Sequence, residues 1–104
     1  MRNIEFRLSL ILTKEDMKRL KIKERDGVKE ITIDLHRMSC SQAKRFINNI
    51  INLVRESCRL ILIHGYNHGT ALKDMIRRDI DNSHIESITA DEYNLGRTDI
   101  LLAA

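Results

Sequence analysis

The chain has 104 residues, two cysteines, no tryptophan and a formal net charge of +3. That length predicts one domain, and a hydrophobic content of 42% is enough for a core without disulfide staples. No apolar run approaches the ~20 residues that span a bilayer, and the first residues lack the apolar segment and small-residue cleavage site of a signal peptide. Low aromatic content argues against a stacking platform of the RNA-recognition type. A cytoplasmic protein without membrane attachment is expected.

Charge is distributed unevenly. Residues 31–78 hold eight Lys/Arg and three Asp/Glu, whereas residues 79–104 hold one and six. A basic middle suits a phosphate-bearing partner, although a solvated helical face has the same composition.

In chain order, residues 4–12 alternate, with Ile4, Phe6, Leu8, Leu10 and Leu12 on one side. Period two predicts a half-buried strand. Thr13 and Asp16 mark the start of a short helix near 14–19, with a hydroxyl cap and an acid in the first turn. Asp26-Gly27 is a two-residue hairpin turn. It sets Arg25 opposite Val28, Glu24 opposite Lys29, Lys23 opposite Glu30, Ile22 opposite Ile31 and Leu20 opposite Ile33, so that charges and apolar groups pair across the strands. Ile31, Ile33 and Leu35 form the buried side of the second hairpin strand.

Ser39 to Gln42 is a capping box. It opens a helix whose stripe of Ala43, Phe46, Ile47, Ile50, Ile51 and Val54 faces the core. Cys40 and Cys58 bracket this helix 18 residues apart, or roughly 27 Å at the helical rise, too far for a disulfide. A reduced setting follows. Leu60-Ile61-Leu62-Ile63 is a continuous apolar strand of the kind buried on both faces. A second helix sets Leu72, Met75, Ile76 and Ile80 inward and Lys73, Arg77 and Arg78 outward. Residues 84–90 and 97–103 are two final strands with a turn at Asn94-Leu95-Gly96.

The order from residue 31 is β-α-β-α-β-β, a two-layer α/β sandwich with a mixed sheet. It divides the chain into an N-terminal strand/hairpin extension, residues 1–30, and a core domain, residues 31–104. The alternating segment at 4–12 would offer an exposed edge for weak homodimerisation; otherwise the chain is a monomer.

Parallel strands align their C-terminal ends, and ligands bind beyond those ends. Asp34 and His36 share one side of the first core strand, and the second ends in His64-Gly65. If the strands are neighbours, Asp34, His36 and His64 converge as catalytic candidates. A histidine near neutral pKa takes a proton from water or an RNA 2′-hydroxyl. The loop Gly65-Tyr66-Asn67-His68-Gly69, leading into a helix N-terminus, is suited to phosphate, with Arg37, Lys73 and Arg77 as further nucleic-acid-binding candidates. The bland alternatives stand beside these: a strand-end Asp is a common turn cap, and a lone His is often structural. His84 is assigned no role. One Asp and two His could also form a facial triad for a divalent cation. The spacing is unspecific, so no cofactor is assigned beyond an open place for loosely held Mg²⁺ or Mn²⁺.

Ile33-Asp34-Leu35-His36 is similar to the opening Asp-Leu-His-Gly motif of Smr (small MutS-related) domains. His64-Gly65 through Gly69 resembles the family's His-Gly-x-Gly motif, and Asn94-Leu95-Gly96-Arg97-Thr98 its closing segment. The resemblance covers residues 31–103. Arg37 stands where the family has Gly, and Asn67 where the inner Gly is usual. The resemblance implies a fold like the C-terminal domain of translation initiation factor three. It also implies an endonuclease, either a DNA nickase or an RNA-cleaving enzyme working by hydrolysis or transesterification, in several members at ribosomes. On this chain the family's functional positions fall on Asp34, His36, His64 and Gly65. The alternatives are a module that binds RNA, DNA or the ribosome without cutting, and a protein adaptor using the N-terminal strands.

Overall fold

The computed structural model describes residues 4–54, 56–65, 70–90 and 94–103. Helices α1 (Ile4–Ile11) and α2 (Lys14–Met17) precede a hairpin of β1 (Leu20–Arg25) and β2 (Val28–Asp34). Then follow α3 (Cys40–Leu53), β3 (Cys58–Ile63), α4 (Ala71–Asp79), β4 (Ile85–Ala90) and β5 (Arg97–Leu102). The five strands form one mixed sheet in the order β1-β2-β3-β5-β4. Only β2 and β3 are parallel, joined by the crossover helix α3; every other neighbouring pair is antiparallel.

The hairpin follows the register set by its turn. Leu20 pairs with Ile33, Ile22 with Ile31 and Arg25 with Val28, and Asp26 and Gly27 both adopt positive φ, as a tight two-residue turn demands. Ile31, Ile33, Leu60, Leu62, Ile100 and Leu102 line one face of the sheet and join Ala43, Phe46, Ile47, Ile50, Ile51, Met75 and Ile76 of the helices in a single core. The capping box is formed in both directions: the Gln42 N–H donates to Ser39 Oγ (3.2 Å) and the Ser39 N–H to Gln42 Oε1 (3.0 Å). Cys40 and Cys58 are both free thiols.

The expected strand at 4–12 is instead helix α1, packed on α3. The alternating pattern contains Ile4, Leu8 and Leu12, spaced four apart, and these three are buried. Leu10 and Ile11 are left exposed. Spacing of four satisfies a helix face as well as a strand face. With the segment helical, dimerisation through an N-terminal strand loses its basis. Residues 4–30 are also not an appendage, because α1 supplies core residues and β1 is the edge of the sheet.

The run Leu60–Ile63 is buried on both faces over Leu60, Ile61 and Leu62, as expected, but the two faces are covered differently. Leu60 and Leu62 enter the core. Ile61 is also buried, on the opposite face between its cross-strand neighbours Thr32 and Asp99, where no helix among the described residues packs. Arg59, Arg97, Glu30 and Asp99 dress that face as an ion-pair network. No helix among the described residues is long and apolar enough to cross a membrane.

Candidate functional site

The site begins where β2 ends. Asp34 pairs with Ile63 of β3 in parallel register, and the Leu35 N–H carries the ladder one step further to the Ile63 carbonyl (3.0 Å). Leu35 turns inward and is fully buried, while Asp34 and His36 remain exposed. The chain then bends sharply. Asp34 Oδ1 accepts the backbone N–H of His36 (2.9 Å), and the Met38 N–H closes the turn on the Leu35 carbonyl (3.1 Å). Arg37 lies inside this turn at φ 67°. That left-handed conformation suits glycine.

Arg19, just before β1, locks the bend from outside. Its Nη1 donates to the carbonyls of Asp34 (3.0 Å) and His36 (2.8 Å), and its own carbonyl accepts the Asp34 N–H (2.9 Å). Lys18, Arg19 and Lys21 thereby share an open cavity of about 360 Å³ with Asp34 and His36, floored by Thr32 and Ile63. The His36 imidazole has no hydrogen-bond partner among the described residues. A second cavity of about 420 Å³ lies between α2 and α3, and Arg19 and Arg37 belong to its wall together with Arg45, Glu15 and Asp16.

His64 is placed differently. It follows β3 directly, but its ring turns toward the buried Thr98 of β5: Nε2 lies 2.9 Å from Thr98 Oγ1, and Nδ1 lies 2.8 Å from the Gly65 carbonyl. A carbonyl only accepts, so Nδ1 carries the proton, and in the neutral ring Nε2 accepts from the threonine hydroxyl. Both nitrogens are thus occupied. Strand alternation sets Thr98 and His64 on the core side and Asp34 on the open side, and His64 does not line the Asp34–His36 cavity. The three expected catalytic side chains lie at the same end of the sheet, but only two share a cavity.

Gly65 (φ 73°) and Gly96 make a close backbone contact. The Gly96 carbonyl accepts the N–H groups of His64 (2.9 Å) and Gly65 (3.0 Å), and a Cβ on Gly96 would stand 3.1 Å from the Gly65 Cα. This contact anchors the loop stem. Tyr66, Asn67, His68 and Gly69, expected to cradle phosphate, lie outside the described residues. Lys73 is half-buried and Arg77 exposed on α4, and neither lines either cavity.

Lys18, Arg19 and Lys21 were absent from the expected site. The hairpin register already held their signal, because Leu20 opposite Ile33 sets Arg19 beside Asp34 and Lys21 beside Thr32. Among the described residues, no three His, Cys, Asp or Glu side chains gather as a potential metal site; Asp34 and His36 supply two, and the third expected member, His64, turns to Thr98. Comparisons with protein-family models, with curated proteins and with solved structures find no match to the chain.

Proposed function

We propose that this chain is an Smr-like nucleic-acid-binding domain that cleaves a phosphodiester bond at the end of β2. The observation that carries this is the cavity in which Asp34 and His36 stand with Lys18, Arg19 and Lys21. Three cations beside one free imidazole are the elements of phosphoryl chemistry. The imidazole takes the proton of an attacking water or 2′-hydroxyl, the cations stabilise the charge that develops on the phosphorus-bound oxygens, and the leaving oxygen is protonated from solvent. Asp34 acts as a positioning residue, since its Oδ1 holds the backbone that carries His36. The β-α-β-α-β-β order from β2 onward supports the resemblance, as does the left-handed turn at Arg37, the position of the motif's glycine.

A binding module without cleavage is the second reading, with RNA, DNA or the ribosome as its partner. It is favoured by the engagement of both His64 nitrogens, which removes one expected catalytic group from the cavity. Cleavage of end-labelled single-stranded RNA and duplex DNA, with EDTA or added Mg²⁺, separates the two. Cutting by the wild type that disappears in the Asp34→Ala/His36→Ala variant supports the nuclease. Salt-sensitive binding with no cutting under any condition supports the module.

A further inference from the structure

We infer that β1 is a track for the sugar-phosphate backbone of single-stranded nucleic acid, leading a phosphodiester to Asp34 and His36; the inference rests on the proposed function and names the substrate form. Arg19, Lys21, Lys23 and Arg25 alternate along the edge strand and its approach, which puts all four on one side of the chain. It is the side of the sheet against which no helix among the described residues packs. Every second residue of a strand recurs at roughly 7 Å, close to the interval between successive phosphates of an extended nucleic-acid strand. Lys21 belongs both to this row and to the cavity holding Asp34 and His36, so row and cavity are continuous.

The charge balance singles out this row. Farther across the same face, Arg59 is paired with Glu30 and Asp99, and Arg97 with Asp99. On the hairpin, Lys29 is paired with Glu24. Lys21, Lys23 and Arg25 are exposed and make no ion pair among the described residues, since Glu30, in register opposite Lys23, reaches Arg59 instead. Positive potential is therefore concentrated on the sheet edge, and a polyanion is its complement. The line is narrow and ends in an open cavity of about 360 Å³. That form suits one unpaired strand entering with a single nucleotide at a time, whereas a duplex would present two backbones and bury its bases between them. The track holds by charge, in keeping with the chain's lack of tryptophan and its two phenylalanines.

The test is fluorescence anisotropy of labelled oligouridine and oligothymidine over a salt series. The proteins are the wild type, the Lys21→Gln/Lys23→Gln/Arg25→Gln variant and a Lys44→Gln/Arg78→Gln control, in which charges are removed from the helix layer. Each lost phosphate contact lowers the salt slope of log K by about 0.7 for single strands, so the triple variant is expected to lose about 2 from the slope and the control none. Retention of the wild-type slope in the triple variant, with binding intact, overturns the track and leaves the proposed function standing. Equal affinity for a duplex of the same length also overturns it. Absence of binding by the wild type to either oligonucleotide overturns both proposals, including the case in which phosphatidylserine vesicles are bound instead.

Discussion

Asp34 Oδ1 accepts the backbone N–H of His36 at 2.9 Å, so the carboxylate fixes the bend that presents the imidazole. Asparagine retains that acceptor oxygen and alanine does not. Asp34→Asn is therefore expected to keep the turn and most of the cleavage rate. Asp34→Ala should lose about 1 kcal/mol of stability, the worth of one hydrogen bond, together with cleavage. His36→Ala should lower the rate by about 10²-fold or more without unfolding the domain. Single-turnover cleavage and urea unfolding of the three variants check this, and a rate in Asp34→Asn as low as in Asp34→Ala would give the carboxylate's charge the leading role.

The His64–Thr98 pair predicts a stability effect in place of a catalytic one. Removing the imidazole leaves the hydroxyl of fully buried Thr98 without its partner and the Gly65 carbonyl without a donor. His64→Ala is expected to cost about 1–3 kcal/mol, and Thr98→Val, which preserves shape, about 1 kcal/mol. Equilibrium urea unfolding reads both. Unchanged stability in His64→Ala alongside lost cleavage would return His64 to the chemistry.

Arg37 occupies a backbone conformation that costs a residue with a Cβ about 1–2 kcal/mol. Arg37→Gly removes that cost while adding chain entropy to the unfolded state. A net gain of about 0.5–1 kcal/mol is expected. Arg37→Val, branched at Cβ, should be less stable than the wild type. Thermal unfolding of both variants provides the check.

Burial pushes the Cys58 thiol up to about 12, with the negative charge of Glu56 next in importance. The folded protein thus holds this proton at pH values where the unfolded chain, near 9.0, releases it. Stability from this group is complete below about 9.0 and is lost progressively as pH rises toward about 12. A Cys58→Ala variant should show a flatter decline in stability than the wild type over that alkaline window, since all other groups cancel in the comparison. Thiol-specific reagents should modify half-buried Cys40 in the native protein and reach Cys58 only on unfolding.

The sequence alone determined the elements whose signals are local. The Asp26-Gly27 turn dictates its own hairpin register because the twist of the strands admits few two-residue loops. Ser39 and Gln42 mark the start of α3, and the stripe from Ala43 to Val54 declares its buried face. The segment at 4–12 was ambiguous because Ile4, Leu8 and Leu12 satisfy both periods; packing against α3 decided for the helix. The candidate site divides the same way. Asp34 and His36 were legible at the end of a core strand, as residues two apart on one side of the chain. Which other side chains join them depends on pairing and on which face each strand end presents, so the structure brings in Arg19 and Lys21 across the hairpin and turns His64 away to Thr98. Neighbours along the chain set turns, caps and stripes. The company a functional group keeps is set by hydrogen bonds between distant strands, and only the tertiary structure contains those.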